Sequence, residues 1–255
     1  MTKPMRIAAL YDIHGNLPAL EAVLDDVHRA GVDQVVIGGD VFPGPMPRET
    51  LERLLSLDIP VRFIRGNGDR EILAQMRGQE TDEVPEQFMD VVRWVARQLR
   101  PEQEAVLASW PQTLRVEIDG LGAVLFCHAT PRNDTEVFTR LTPEVRLLPV
   151  FAGQDVPLVV CGHTHMQFDR RVGGTRVVNA GSVGMPYGEP GAYWLLLGPG
   201  PEVELRRTPY DLARAAERVL ATGYPQAEDF AARNVLRPPS EAEVLEVFSG
   251  MELGG

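Results

Sequence analysis

Short apolar segments alternate with amphipathic segments along the first 70 residues of this 255-residue chain. Runs of mostly apolar residues predict strands, and Leu, Val and Ala residues at helical spacing predict helices between them. We predict strands at 6–11, 34–37 and 61–64, and helices at 17–27 and 48–57. Strands that alternate with helices in this way form parallel βαβ units. The sequence therefore predicts an α/β fold.

The rest of the chain continues this pattern with two helical additions. Apolar residues at helical spacing predict a helical insertion over about residues 71–111, and further strands follow. We expect a domain over residues 1–208 and a C-terminal helical extension over residues 209–255, packed on the same domain. A length of 255 residues suits one large domain of this kind.

The overall charge and apolar content limit the partners of this chain. It has 25 basic and 36 acidic residues, and the formal net charge of −11 repels polyanions. We therefore expect a small substrate rather than long nucleic acid. The chain has no apolar run of the roughly 18 residues that a membrane-spanning helix needs, so we predict a cytoplasmic location without membrane contact. Cys127 and Cys161 are expected to be reduced core residues.

Metal-ligand side chains follow the ends of several predicted strands. They are two aspartates, one asparagine and four of the five histidines: Asp12, His14, Asp40, Asn67, His128, His163 and His165. A single histidine in such a position is usually structural, but four in matching positions favour a metal centre. Oxygen and imidazole donors together suit Mn²⁺, Fe²⁺, Co²⁺, Ni²⁺ or Zn²⁺ better than Ca²⁺. Strand ends in an open α/β sheet are also where ligands bind.

These residues occur in a characteristic order. The chain contains Asp12-x-His14, then Gly39-Asp40, Gly66-Asn67, His128, and finally Gly162-His163-Thr164-His165. In this order the motifs resemble those of the calcineurin-like metallophosphoesterases, and within that family the small bacterial and archaeal phosphodiesterase-type members. The resemblance covers about residues 5–208.

The resemblance implies a fold and a site. The fold is a four-layer α/β/β/α sandwich of two mixed sheets, with two divalent metal ions at one edge. One ion is expected at Asp12, His14 and His165, the other at Asn67, His128 and His163, with Asp40 as the bridge. Asp40, Asn67 and His128 are also the candidate catalytic residues. Two ions about 3.5–4 Å apart lower the pKa of a shared water, so that hydroxide forms at neutral pH.

The chain departs from the family pattern at Gly68, where many members have a histidine that assists the leaving group. Asp69 is a candidate substrate-site residue that could donate the proton instead, although it is also placed to cap a helix that starts near Arg70. Arg132 is a candidate substrate-binding residue because a planar guanidinium pairs well with phosphate oxygens. The missing histidine predicts slow hydrolysis of esters with basic leaving groups.

The sequence therefore predicts a metal-dependent hydrolase of small phosphoric esters. A phosphodiesterase that attacks with metal-bound hydroxide is the first hypothesis. A phosphomonoesterase, including a phosphoprotein phosphatase, would use the same centre, and a non-catalytic scaffold of the same fold is the alternative from another class. The natural substrate, the identity of the metal and the formation of a homo-oligomer are left open.

Overall fold

The computed structural model describes residues 5–79, 84–200, 202–251 and 253. Its strands form two five-stranded sheets. The first sheet consists of β1 (Ile7–Leu10), β2 (Gln34–Ile37), β3 (Val61–Phe63), β9 (Ala192–Leu197) and β10 (Val203–Thr208). The second sheet consists of β4 (Thr113–Ile118), β5 (Gly122–Cys127), β6 (Leu158–Cys161), β7 (Phe168–Val172) and β8 (Thr175–Asn179).

Both sheets are mixed, with parallel strands at their centres. The first has the order β10-β9-β1-β2-β3, in which β1, β2 and β3 are parallel and β9 and β10 are antiparallel neighbours. The second has the order β4-β5-β6-β8-β7, in which β5, β6 and β8 are parallel. Leu10 is in register with Ile37, so β1 and β2 end at the same edge of the first sheet.

The helices lie on the outer faces of the two sheets, in the insertion and in the C-terminal extension. They are α1 (Leu17–Arg29), α2 (Pro47–Leu55), α3 (Asn67–Met76), α4 (Glu86–Gln98), α5 (Pro101–Ala108), α6 (Glu144–Phe151), α7 (Leu212–Leu220), α8 (Ala227–Phe230), a π-helix (Ala231–Leu236) and α9 (Glu241–Ser249). In α1 the Asn16 side chain accepts a hydrogen bond from the Ala19 backbone N–H, and Pro18 lies in the first turn, where its missing N–H is tolerated.

Alternation along the strands creates separate apolar layers. In β1, Ala8 and Leu10 pack on the same side as the helices α1 and α2, whereas Ile7 and Ala9 face Val124, Phe126 and other residues of the second sheet. The outer face of the second sheet packs on Leu147, Val150 and Phe151 of α6. These layers confirm the predicted α/β/β/α sandwich of two mixed sheets.

The insertion and the C-terminal extension both contribute to the core of the first sheet. Val91, Val92 and Val95 of α4 and Ala215 and Val219 of α7 are buried in the same apolar cluster. The helix that we expected to start near Arg70 starts at Asn67 instead, because Gly66 is extended and forms its N-cap. We propose that the extension after residue 208 belongs to the same domain.

Cys127 and Cys161 are free thiols buried at the ends of β5 and β6, as expected. Among the residues that the structure describes, no helix has both the length and the apolar character needed to cross a membrane.

Candidate metal centre

The loops after β1 and β2 run side by side and bring three of the predicted ligands together. The backbone N–H of Asp12 donates to the Gly39 carbonyl oxygen at 3.1 Å, and that of His14 donates to the Asp40 carbonyl oxygen at 3.0 Å. Because β1 and β2 are parallel and end in register, their following residues meet at one sheet edge.

The second sheet delivers the remaining histidines to the same edge. His128 follows β5, and His163 and His165 follow β6. The backbone N–H of His163 donates to Asp12 Oδ2 at 2.9 Å, which joins the loops of the two sheets. Asn179, at the end of β8, donates through Nδ2 to the Gly162 carbonyl oxygen at 2.6 Å and so supports the His163 turn.

The backbone at the ligands has an uncommon conformation. Seven non-glycine residues in the described part of the chain have a positive φ, and five of them are predicted ligands: Asp12, His14, Asp40, His163 and His165, with φ of 52°, 46°, 52°, 65° and 58°. Left-handed φ values in residues other than glycine cost conformational energy and concentrate at functional sites. The turns that direct these side chains inward are therefore held by the surrounding contacts.

Each of the four imidazoles is oriented by a backbone carbonyl. One ring nitrogen of each lies at hydrogen-bond distance from a carbonyl oxygen: His14 Nδ1 from Pro43 (3.1 Å), His128 Nδ1 from Gly38 (3.0 Å), His163 Nε2 from Thr135 (3.2 Å) and His165 Nδ1 from Met185 (2.7 Å). A nitrogen that donates to a carbonyl leaves the other nitrogen of a neutral ring with a free lone pair. This arrangement is typical of histidines that bind metals.

The inward nitrogens and the carboxylates form two groups of potential ligands. The first contains Asp12, His14 and His165, and the second contains Asp40, His128 and His163, with the ligand atoms of each group within 4.8 Å of one another. In the first group Asp12 Oδ1 lies 3.4 Å from His165 Nε2.

Asp40 lies between these two groups. Its Oδ2 is 3.4 Å from His128 Nε2 and 3.7 Å from His14 Nε2, which belong to different groups. Its Oδ1 accepts a hydrogen bond from the Gly68 backbone N–H at 2.8 Å. One oxygen is thus held by the backbone, and the other faces ligands from both sides.

Asn67 joins the second group through its carboxamide. One terminal atom of that carboxamide lies 3.2 Å from each of His128 Nε2, His163 Nδ1 and the Asp134 carbonyl oxygen. With its oxygen turned to this position, Asn67 faces the same point as the two imidazole nitrogens. A carboxamide oxygen, two imidazoles and a carboxylate are donors that suit a borderline divalent ion.

The electrostatics of the buried site match a bound cation. Asp12 Oδ1 is buried and forms no hydrogen bond with any residue that the structure describes, which leaves it free to bind a metal. Burial raises the pKa of Asp12, but the neighbouring His165 and His128 lower it by more, so the pKa of Asp12 lies below its ordinary value. The pKa of Asp40 is also low, because His128 and His14 outweigh the effect of burial. Two ionised, buried carboxylates require positive charge beside them, which either protonated His128 and His165, whose pKa values the carboxylates raise against the effect of burial, or a bound cation would supply.

The structure corrects the expected placement of Asp69. This residue is fully buried, so it has no surface for a substrate, and it lies within the first turn of α3 rather than before the helix. Its carboxylate accepts hydrogen bonds from the backbone N–H groups of Asp40, Phe42 and Gly66 at 2.8, 3.2 and 3.0 Å. Asp69 therefore stabilises the turn at Asp40 through these backbone hydrogen bonds.

Arg132 forms an ion pair beside the centre instead of facing it. Its Nη2 lies 2.5 Å from Glu136 Oε1, and its side chain is 51% exposed. The side chain does not line the cavity that adjoins the predicted ligands His14, Asp40 and Asn67. In this conformation Arg132 is therefore not positioned to bind a substrate there.

The cavity beside the predicted metal ligands has a volume of about 520 Å³. Its far wall comes from α4 and from the C-terminal extension, including Phe88, Tyr224, Phe230, Arg233 and Asn234. The sequence does not mark this wall, because only tertiary packing brings residues 224–239 next to the part of α4 that lines the cavity, which lies more than 130 positions earlier in the chain. No local motif marks these residues.

The sequence profile of the calcineurin-like phosphoesterase superfamily domain matches residues 5–197. The chain belongs to the calcineurin-like phosphoesterase superfamily. It is a metal-dependent phosphoesterase, and its resemblance to the small bacterial and archaeal members is confirmed.

Individual relatives of this phosphoesterase cover most of its length. It is 28% identical to the protein MJ0912 of Methanocaldococcus jannaschii over 89% of this chain and 96% of that protein. It is 28% identical to the phosphodiesterase YfcE of Escherichia coli over 75% of this chain and 87% of YfcE. A crystal structure of a metallophosphoesterase from Sphaerobacter thermophilus is 28% identical, with a TM-score of 0.71, and the match covers 90% of this chain and 98% of that one.

Proposed function

We propose that this phosphoesterase binds two divalent metal ions and hydrolyses small phosphodiesters in the cytoplasm. The observation that carries the proposal is the position of Asp40 Oδ2, which lies 3.4 Å from His128 Nε2 in one ligand group and 3.7 Å from His14 Nε2 in the other. Asp12, His14 and His165 would hold one ion, Asn67, His128 and His163 the other, and Asp40 would contact both. When bound, two such ions lower the pKa of a shared water and stabilise charge on the phosphoryl oxygens.

The protein's own residues keep this centre in one geometry. The carbonyl oxygens of Gly38, Pro43, Thr135 and Met185 hold the four imidazole rings, so each ring presents a lone pair inward without reorganisation. The Gly68 N–H holds Asp40 Oδ1 at 2.8 Å and so directs Oδ2 toward the two groups. A preorganised polar site avoids reorganisation costs during the reaction.

Gly68 also determines which proton donors this chain can use. A Cβ atom at position 68 would lie 2.3 Å from the Phe42 carbonyl oxygen and 3.1 Å from Asp40 Oδ1. The backbone therefore excludes a histidine here, unless the Phe42 loop moves. Without that donor, esters with stabilised leaving groups should be favoured, and the similarity to a phosphodiesterase supports diesters as the substrate class.

The proposal is tested by removing and restoring the metal. Protein treated with a chelator should lose hydrolysis of bis(p-nitrophenyl) phosphate, and reloading with Mn²⁺, Co²⁺, Ni²⁺, Fe²⁺ or Zn²⁺ should restore it. Asp40→Asn should be folded but inactive, whereas Asp90→Asn, at a side chain that is 88% exposed, should be fully active. Full activity in protein shown to be free of metal would disprove the two-metal proposal. Faster hydrolysis of p-nitrophenyl phosphate than of the diester would instead indicate a phosphomonoesterase.

A further inference from the structure

The cavity beside the metal centre has a wall that the metal ligands do not explain. Its volume of about 520 Å³ lies within the roughly 300–1,000 Å³ of small-molecule sites. Three segments form the wall: helix α4, the turn at Met185–Tyr187 and the C-terminal segment 224–239. The C-terminal segment lies beyond the residues 5–197 that the family profile matches. The wall is therefore a place where this chain can select its own substrate.

Two aromatic side chains border this cavity from different segments. Phe88 of α4 is 41% exposed, although it is a large apolar residue. Tyr187 stacks on the predicted ligand His165, with ring centroids 5.5 Å apart and an interplanar angle of 22°. Behind them Tyr224 and Phe230 are buried and pack edge to face. The cavity thus offers flat apolar surfaces beside a polar centre.

The π-helix (Ala231–Leu236) adds two polar side chains to this wall, Arg233 and Asn234. Asn234 is only 9% exposed, yet its carboxamide forms no hydrogen bond within the described part of the chain. The Arg233 guanidinium likewise has no hydrogen bond or ion pair with a described residue. The carboxamide atoms of Asn234 are not fully enclosed by protein, so they are open to the cavity that the residue lines and can hydrogen-bond to a molecule bound there. π-Helices also occur frequently at functional sites.

Backbone and side-chain contacts hold this wall in place. Gln226 Nε2 donates to the Gln87 carbonyl oxygen at 3.3 Å and connects the C-terminal segment to the start of α4. The Gly188 backbone N–H donates to the Pro239 carbonyl oxygen at 2.9 Å and connects the same segment to the turn that carries Tyr187. The three parts of the wall are therefore fixed relative to one another and to the metal ligands.

We propose that this cavity binds the organic part of the phosphate ester and selects a flat heteroaromatic group with a hydrogen-bonding edge. The proposal rests on the phosphodiesterase function proposed for the adjoining centre. The ring packs beside Phe88 and Tyr187, since aromatic faces bind flat rings well. The Asn234 carboxamide donates to and accepts from neighbouring atoms of the ring edge, as asparagine does with adenine. Arg233 donates to a further acceptor on the same group.

Three diesters with the same p-nitrophenolate leaving group separate the contributions of ring and edge. Adenosine 5′-(4-nitrophenyl phosphate) has a ring with a polar edge, 1-naphthylmethyl 4-nitrophenyl phosphate has a ring alone, and ethyl 4-nitrophenyl phosphate has neither. We expect kcat/KM to fall in this order for the metal-loaded protein. Asn234→Ala should lower kcat/KM for the adenosine ester about tenfold, through KM, and leave the other two esters unchanged.

Two further variants, Phe88→Ala and Arg233→Gln, complete the test. Phe88→Ala should lower kcat/KM for both ring-containing esters but not for the ethyl ester. Arg233→Gln should lower kcat/KM for the adenosine ester only, whereas Arg237→Gln, its matched control, should not, because Arg237 is an exposed arginine on the same segment that does not line this cavity. Calorimetric titration with adenosine 5′-phosphate gives a binding readout that does not depend on turnover, and Asn234→Ala should weaken this binding about tenfold.

The outcomes distinguish this proposal from the proposed function. Equal kcat/KM for the three esters, with ethyl ester hydrolysis intact, would disprove the cavity assignment and leave the phosphodiesterase function standing. An equal loss for all three esters in Asn234→Ala would also disprove it, since the residue would then act on the fold or the metal centre. If the native protein hydrolyses none of the esters, the proposed function fails, and the calorimetric comparison still decides whether Asn234 binds the ring edge.

Discussion

The backbone N–H of Asp40 donates a hydrogen bond to Asp69 Oδ2 at 2.8 Å. Asp69 is fully buried beneath this turn, and the Phe42 and Gly66 N–H groups donate to the same carboxylate. Asp40 in turn presents Oδ2 to both groups of candidate metal ligands. One buried carboxylate thus positions another by holding the backbone around it.

Replacement of Asp69 by asparagine should weaken the metal centre without removing a ligand. An amide nitrogen cannot accept hydrogen bonds, so whichever way the carboxamide turns it loses either the Phe42 N–H or the Asp40 and Gly66 N–H groups, and the Asp40 turn should lose part of its support. We expect metal affinity or kcat/KM to fall about 10–100-fold and stability to fall by about 1–3 kcal/mol. Equilibrium dialysis and urea unfolding measure these changes, with Asp90→Asn as the exposed control. Native metal affinity in Asp69→Asn would contradict the positioning role.

Asn67→Ala should remove one metal ion and retain the other. The Asn67 carboxamide lies beside His128 and His163 but not beside the Asp12, His14 and His165 group. We therefore expect metal content to fall from about two ions per chain to about one, with loss of hydrolysis. Mass spectrometry of the metals in dialysed protein checks the ratio. A variant that still binds two ions tightly would show that Asn67 is not a ligand.

Gly68→Ala should be destabilised, because the added Cβ would lie 2.3 Å from the Phe42 carbonyl oxygen. We expect a loss of about 1–3 kcal/mol in the free energy of unfolding, and reduced activity because Asp40 Oδ1 is also close. Gly174→Ala is the control, since a Cβ there meets nothing within 4 Å. Unchanged stability in Gly68→Ala would show that the Phe42 loop adapts easily.

Because position 68 has no histidine, kcat/KM in the native protein should depend steeply on the leaving group. We expect kcat/KM for aryl phosphodiesters to fall as the pKa of the leaving phenol rises, because no histidine at this position donates a proton. A series of aryl esters with graded phenol pKa values measures the slope. A flat dependence would mean that another group donates the proton.

Glu136 should make stability depend on pH. Burial raises the pKa of Glu136, but hydrogen bonds from Arg132 and Thr130 lower it by more than burial raises it. The pKa in the folded protein is therefore below its ordinary value. A group with a lowered folded pKa stabilises the fold at higher pH and loses this contribution as the pH falls through that pKa. Glu136→Gln should therefore melt below the native protein at pH 7, with the difference shrinking below about pH 4. Glu117→Gln, at an exposed strand position, is the control.

The two cysteines should not react in the folded protein. Burial raises the thiol pKa of both Cys127 and Cys161, and both side chains are fully buried. Thiols that are neither ionised nor accessible react slowly. We expect no reaction with a disulfide reagent in the native state and two reactive thiols after unfolding. Fast native labelling accompanied by metal loss would indicate that a thiolate takes part in the centre.

Much of the fold and the ligand types could be predicted from the sequence. Alternating apolar strands and amphipathic helices indicate parallel βαβ units, and the ends of parallel strands meet at one edge. Asp12, Asp40 and His128 can therefore be predicted as metal ligands from their side-chain chemistry and their positions at strand ends. The helix boundary could not be predicted in this way, because Asp69 has the side chain of an N-cap, whereas in the structure Gly66 is the N-cap and the helix starts at Asn67.

The contacts between distant segments could not be predicted in this way. The partner of each imidazole is a carbonyl oxygen from another loop, such as that of Gly38 for His128. Arg132 has the side chain expected of a phosphate ligand, but the neighbouring Glu136 binds it. A sequence shows which side chains are present, but not which of them already form hydrogen bonds or ion pairs with each other in the fold.

The sequence by itself determined the α/β class and the donor types from which a metal centre is predicted, because strand and helix periodicity and side-chain chemistry are local properties; the sandwich was implied by the family resemblance. Only the tertiary structure decided that Asp69 is buried, that Gly68 has no room for a side chain and that Asn234 lines the same cavity as the predicted ligands His14, Asp40 and Asn67. These facts depend on packing between segments far apart in the chain, where burial and free volume are properties of the assembled core rather than of any one segment.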